Sequence, residues 1–499
     1  LFRVVEEAII TLKQVSGSAA TNEGHDIMVS IYRADGTLAM GGVGFLHHLV
    51  PAAEACQHII RQFDDRIYEG DVYMVNDPYV AALHTSDVFL VTPIHYRGKL
   101  VNWSACFVHV YDIGAMQPGG FCPDAKSVLS EGFSTPGIKL VERGEVRQDV
   151  MDTILNMVRV PEMVALDLSA MIACGNVARD RMVTVLDKYG VDAVDEVTQA
   201  LIDQSEQLMR DRLRELPNGR WQARQYMNIK DQLFRISLSM TKSDNTLTFD
   251  FSGSSPQSED CGINCSYWAV LGGLTAPFFP LLAHDITWND GLLRPIRMIA
   301  PKGSVIHAKR PAPTSCATVC AIQSVNNVSC ITLSKMLLAS EKYAKEATGV
   351  WHGNLVALFI NGKNQNGHDT IGLMTETLAG SGGARTFADG VDFGGELPNP
   401  ICRMANVEMT EAMFAVRYLF RRRMQDSAGA GQYRGGAGGE YALMAHDTPD
   451  DGMNYVVACK GFDFPVAEGL GGGHTGAPNY CAWVHNDDAL ADRESTGDR

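Results

Sequence analysis

The 499-residue chain sets 42 Lys and Arg against 58 Asp and Glu, a formal net charge of −16, with 45% hydrophobic and 20% charged residues. That length calls for two to four domains around a large interior, and the composition is that of a globular protein, neither disordered nor fibrous. The acidic balance argues against nucleic acid as a partner, because phosphate binding needs a basic surface that an acidic chain would have to assemble locally, and no apolar run reaches the ~20 residues of a membrane span.

Residues 3 to 15, RVVEEAIITLKQV, place apolar side chains at helical spacing, and DIMVSIYRADGTLAM reads as two strands about an Asp35-Gly36 turn. VFLVTPIH (88 to 95) and LVNWSACFV (100 to 108) are strand-like and flank a YRGK turn. With the hairpin closing at Arg97-Gly98, His109 is expected opposite Ser86. From Asp149 to Leu216 the spacing is helical, with Gly190 as a C-cap and Pro217-Asn218-Gly219 as a stop. From Gln232 the period becomes two, and Phe234, Ile236, Leu238 and Met240, then Leu247, Phe249 and Phe251, alternate with polar neighbours. That pattern predicts a hairpin with one wet face. YWAVLGGLTAPFFPLLA (267 to 283) is apolar but short and broken by Gly and Pro, so it reads as a buried core segment.

The last third is glycine-rich: LAGSGGAR, SAGAGQYRGGAGGEY and GLGGGHTGAP. None sits in a strand–GxGxxG–helix context, so tight turns are the plainer reading than a nucleotide cradle. The one compact basic run, Arg421-Arg422-Arg423, reads as a solvated edge or a subunit contact. Twelve cysteines without a CxxC pair fit a reducing cytoplasm, and Cys261 with Cys265 and Cys316 with Cys320 read as buried thiols. The chain opens on Leu1, and no signal peptide is visible. The expected architecture is α+β: a large mixed multi-domain subunit with antiparallel sheets. It divides into an N-terminal α+β region (1–148), a helical segment (149–219) and a β-rich, glycine-looped region (220–499).

Ionisable side chains are costly inside a sheet unless something pairs with them. His84, Asp87 and His109 nevertheless fall at the open end of the 88–108 hairpin, within reach of one another. Two imidazoles and a carboxylate are a ligand set for Zn(II), Fe(II) or Mn(II) that leaves coordination positions open. A regular strand would send His84 and Asp87 to opposite faces, so a turn or bulge after Asp77-Pro78 is required. The plainer alternative gives these residues loop-capping and core roles. Asp77 and Asp112 are candidates to orient the imidazoles as carboxylates behind the ligands, Asp77 also being an ordinary turn residue before proline.

The strings GDVYMVNDPYVAALHTSDVFLVTPI (70 to 94) and VHVYDIGAMQPGGFCPDA (108 to 125) closely resemble the family that unites hydantoinase B and 5-oxoprolinase chains with the acetone carboxylase alpha subunit. IACGNVARDRM, LPNGRW, DFSGSSPQ, LLRPIRMIAPKGS, TETLAGSGGAR and DSAGAGQYRGG extend the likeness almost end to end. The resemblance implies a divalent metal, Zn, Mn or Fe, on His84, Asp87 and His109. It departs from the family pattern where AALHTSD replaces GGTHLPD and VHVYDIGA replaces HHxDIGG, with Val108 in place of a histidine.

The resemblance also implies that ATP is used by a separate hydantoinase A-like subunit, together with which a small accessory subunit is expected. The absence of a GxxxxGK[ST] motif here agrees with that division. Two reactions stay open: carboxylation of a ketone through its phosphorylated enol, towards which HVYDIG and PGGFCPDA lean, and hydrolysis of a cyclic amide. A third reading is a non-catalytic scaffold copy, against which the intact ligands argue. His48 and Asp112 are the catalytic candidates. His25 and His47 are further acid–base candidates, each set against a buried, hydrogen-bonded imidazole, and Asn76 and Tyr111 have similar standing.

Overall fold

The computed structural model describes residues 1–353, 355–378, 380–448 and 452–484. Seven antiparallel strands form the first sheet: β1 (Ile27–Arg33), β2 (Leu38–Gly41), β3 (Val72–Val75), β4 (Asp87–Tyr96), β5 (Lys99–His109), β6 (Ile138–Glu142) and β7 (Glu145–Val146), in the order β2-β1-β5-β4-β3-β6-β7. β4 is buried from Asp87 to His95, so both of its faces are covered. This is why its sequence is a continuous apolar run. The helix Pro161–Tyr189 lies on one face, so close that a Cβ at Gly175 would stand 2.4 Å from Thr92 Oγ1. On the other face His48, which precedes the helix Leu49–Phe63, packs against Phe89 and Phe107.

The N-terminal helix Phe2–Val15, the Asp35-Gly36 turn and the helices Gln148–Asn156, Pro161–Tyr189 and Val191–Glu215 stand where the periodicity places them. Gly190 joins the last two at φ +82°, a conformation that suits glycine. The hairpin expected from Gln232 is β9 (Gln232–Ser243) with β10 (Thr246–Asp250), flanked by β8 (Gly219–Ile229) and the parallel strand β11 (Ile296–Ile299). Tyr267–Leu282 is a buried helix, and among the described residues no helix is long and apolar enough to cross a membrane. One large apolar cluster runs from Val4 to Ala458.

The C-terminal third holds β12 (Val356–Lys363), β13 (Asp369–Leu373), β14 (Val416–Arg423), β15 (Gly439–Ala445) and β16 (Met453–Cys459), in the sheets β13-β12-β16 and β14-β15. The basic run lies on β14 and is ion-paired: Arg421 to Glu376, Arg422 to Glu440 and Arg423 to Asp392. The twelve cysteines are unbridged and nine are buried, Cys261, Cys265, Cys316 and Cys320 among them.

One register differs from expectation. A bulge between Ile94 and His95 shifts the β4–β5 pairing by one residue, so His109 faces Asp87 and not Ser86. An extra residue near the turn is a common way to set register at the far end of a hairpin.

Candidate metal centre

Asp87 opens β4 and His109 closes β5, directly opposite one another. His84 precedes them in the required turn, closed by the Asp87 amide donating to the His84 carbonyl at 3.1 Å. Asn76 pins that turn. Its side-chain amide donates to the carbonyls of Thr85 and Phe133 and accepts from the Thr135 amide, each at 2.8 Å. Gly120 closes it from above: its φ is +78°, and a Cβ there would lie 2.0 Å from Ser86 Oγ.

Within this frame His84 Nε2 stands 3.2 Å and His109 Nδ1 3.4 Å from Asp87 Oδ1. The two imidazole centroids are 5.0 Å apart. One ligand atom from each of the three residues lies within 4.8 Å of the others. Phe121 rests against both imidazoles, at 5.1 and 6.0 Å, and Phe359 of β12 backs Phe121 and His109 at 5.3 and 5.9 Å. The ligands are therefore held by packing as well as by backbone pairing.

A chamber of about 50 Å³ opens beside the trio, lined also by Asp26, His47 and His48. The residues that line it carry six buried polar atoms without a hydrogen-bond partner: Asp26 Oδ1, His47 Nε2, His48 Nδ1, His84 Nδ1, Asp87 Oδ2 and His109 Nε2. Buried polar groups are normally satisfied, and such a concentration of exceptions at one point demands a cause. Among the described residues no Lys or Arg lines the chamber, so two buried carboxylates lack a fixed counter-charge. Two imidazoles, a carboxylate and a charge deficit fit a divalent ion.

Burial alone would raise the Asp87 carboxyl. The imidazole of His84 and hydrogen bonds from His109 and His84 outweigh it and hold the group well below the ordinary carboxylate range. Burial depresses His47 and His48 to about 3, so both are neutral. His48 stacks flat on Phe107 at 3.4 Å, with Nε2 4.0 Å from Asp87 Oδ2. Asp26 is pushed up to about 7 by burial, against the pull of His109 and with the push of Asp87 and Glu396.

Asp77 and Asp112 do not stand behind the imidazoles. Asp77 pairs with Arg310 and accepts from the Tyr79 amide, the turn role its position before Pro78 suggests. Asp112 takes the guanidinium and backbone amide of Arg159 and the Gly114 amide, so it fastens the loop after β5 to the segment between two helices. His25 lies outside the chamber with Nδ1 on the Ile401 carbonyl, and the Tyr111 hydroxyl accepts from the Ala20 amide.

Asp26 is the site residue that sequence reading missed. It precedes β1, whose Ile27 pairs with Val108, and this brings Asp26 beside His109. The only local signal was an acidic residue at the mouth of an apolar strand.

A second, larger cavity of about 1090 Å³ lies across β12. Val356, Leu358 and Ile360 face it, whereas Leu355 and Ala357 face the chamber. The three glycine-rich segments all contribute to its wall and bond to one another, Gly436 N to the Gly382 carbonyl and His474 N to the Ala430 carbonyl, each at 2.8 Å.

Comparison with known proteins places this geometry in context. The chain matches the hydantoinase B/oxoprolinase family model over residues 1–498. It is 26% identical to the acetophenone carboxylase delta subunit of Aromatoleum aromaticum, covering 85% of this chain and 63% of that one. It is 30% identical to a putative D-/L-hydantoinase subunit of a Pseudomonas species, covering 82% and 70%. Among solved structures, nucleotide-free acetone carboxylase superposes with a TM-score of 0.86 at 21% identity, over 92% of this chain and 62% of that one. The chain thus spans less than two thirds of the length of both carboxylase relatives.

Proposed function

The chain belongs to the hydantoinase B/oxoprolinase family, and from that premise we propose that it is the metal-bearing subunit of an ATP-dependent complex that carboxylates a ketone. The observation that carries the reading is the set of six unpartnered polar atoms around one buried chamber. A divalent ion, zinc, manganese or iron, when bound there supplies a Lewis acid that polarises a carbonyl or enol oxygen.

His84, Asp87 and His109 would hold the ion, and Asp26 lines the same chamber. His48, neutral and fixed on Phe107, offers Nδ1 to accept or return a proton at the edge of the chamber. Phe45, Leu83, Phe121 and Val319 exclude water, which would otherwise protonate a nucleophilic enol carbon before it met CO2. Asp112 supports this site from a distance through Arg159 and the loop after β5. ATP is consumed by a hydantoinase A-like subunit, with a small accessory subunit completing the complex. The designation of both sequence relatives as subunits supports a hetero-oligomer.

The 30% identity to a hydantoinase subunit favours a second reading, hydrolysis of a cyclic amide with the ion activating water. One assay on the complex assembled with its ATP-binding partner separates the two. ATP-dependent incorporation of labelled bicarbonate into a ketone supports carboxylation, and ATP-dependent ring opening without bicarbonate supports hydrolysis. Unchanged turnover in Asp87→Ala would leave only a scaffold role.

A further inference from the structure

Residues 110 to 137, all of them described, join β5 to β6 through one short helical turn, Val128–Ser130. Connections that long are uncommon unless they carry function. Two bonds tie the ends of this one together, the Phe133 amide to the Ile113 carbonyl at 2.8 Å and the Met116 amide to the Ser130 carbonyl at 3.0 Å. Its middle carries Phe121, whose ring rests against both imidazoles. Gly119 and Gly120, at φ +86° and +78°, let the backbone pass against Phe359 and Ser86 on the way.

What fastens this middle lies far along the sequence. The Ser315 hydroxyl accepts from the Cys122 amide and donates to the Cys122 carbonyl, each at 3.1 Å. The Val128 amide donates to the Pro311 carbonyl at 2.9 Å. Asp124 also meets Lys230 at 2.8 Å, but both side chains are exposed, and such pairs contribute little. Ser315 therefore grips the residue next to Phe121.

Glu131 aims that hydroxyl. Its carboxylate is fully buried and accepts from the Thr314 amide at 2.8 and 2.9 Å, the Thr314 hydroxyl at 3.0 Å and the Ser315 amide at 2.7 Å. Its carbonyl accepts from the hydroxyl of Thr85, the neighbour of His84, at 2.5 Å. Burying a carboxylate is costly, and an apolar side chain would fill the same space without that penalty. What the carboxylate adds is direction. It fixes the backbone that presents Ser315, and so joins the turn that carries His84 to the loop that carries Phe121.

Resting on the metal reading above, we propose that Glu131 and Ser315 are positioning residues that hold Phe121 against His84 and His109, and so set how fast ion and water exchange with the chamber.

The test loads the full chain with Mn(II), uptake being read as loss of the free-ion electron-spin signal. A chain that takes up no ion defeats the metal reading and this proposal together. With the ion held, a chelator chase should release Mn(II) about tenfold faster from Ser315→Ala and Glu131→Gln than from the unaltered chain, and likewise from Phe121→Leu. Water-proton relaxation by the bound ion should rise in the same variants. Hydrogen exchange at the amides of residues 119 to 122 should quicken by about tenfold, the loss of one buried hydrogen bond, while β4 and β5 keep their protection. Asp124→Asn, which breaks only the exposed pair, should change none of the three readouts. If Glu131→Gln does not fold, Ser315→Ala decides alone. Unchanged release and relaxation in Ser315→Ala, with the ion held, would overturn the proposal and leave the metal site standing. Faster exchange throughout β4 and β5 would also overturn it, because both residues would then serve general stability.

Discussion

The two faces of β12 look onto spaces of opposite character. On one side a chamber of about 50 Å³ is lined by residues carrying six polar atoms without partners; on the other the wall of a cavity of about 1090 Å³ carries two, His352 Nδ1 and Glu376 Oε2. In the large cavity Glu376 meets Tyr418 and Arg421. Room alone therefore does not locate chemistry in this molecule. Unsatisfied buried polar atoms do, because their cost must be offset by something bound.

If the chamber is shaped for an ion, its frame should be intolerant where the rim of the larger cavity is forgiving. Asp112→Ala should cost about 3 kcal/mol of stability, since it strips Arg159 and two backbone amides of a buried acceptor. Denaturant unfolding measures it, and the folded variant should still bind metal. Retained stability together with lost turnover would restore Asp112 to a catalytic role. Gly120→Ala should cost about 2–3 kcal/mol, combining the positive φ with the clash on Ser86. Gly472→Ala, at φ +94° with open space around it on the cavity rim, should cost about 1 kcal/mol. Equal costs would remove the contrast.

The opposite faces of β12 sharpen it further. Phe359→Leu loosens the backing of His109 and Phe121 and should weaken metal binding by about tenfold, as changes behind metal ligands do. Leu358→Ala, facing the large cavity, should leave metal affinity unchanged. Isothermal titration with Mn(II) reads both.

The C-terminal region carries its own buried charge, and pH reaches it where a chelator would not. Lys460 donates to Gln225 Oε1 at 2.9 Å, and burial lowers it to about 7. The unfolded chain then holds a proton that the folded lysine has given up, so stability should rise as pH climbs from about 7 towards the ordinary lysine range near 10.4. The slope is at most about 1.4 kcal/mol per pH unit. Lys460→Met should flatten that rise, and an unaltered slope in the variant would assign the effect to other groups.

Much of the chamber was legible in the residues. The alternating and helical periods located the β4–β5 hairpin, the helices from Gln148 to Glu215 and the hairpin at Gln232. The family resemblance put His84, Asp87 and His109 together. What remained hidden depended on non-local pairing. Asp26 enters only because β1 lies against β5, an order that no local pattern encodes. The bulge at Ile94 moved His109 from Ser86 to Asp87, since one inserted residue near a turn leaves both strand patterns intact. Asp112 was misplaced because its partner, Arg159, is 47 positions away. The glycine-rich segments were legible only as tight turns, and their joining into one cavity wall was hidden because their contacts are backbone to backbone across the fold.

The central claim is that a divalent ion belongs on His84, Asp87 and His109. Elemental analysis of the purified, extensively dialysed chain tests it most directly, alongside His84→Ala, Asp87→Ala and His109→Ala variants shown to be folded. The account predicts close to one equivalent of zinc, manganese or iron per chain, lost in each variant. Full metal content in all three folded variants would contradict it.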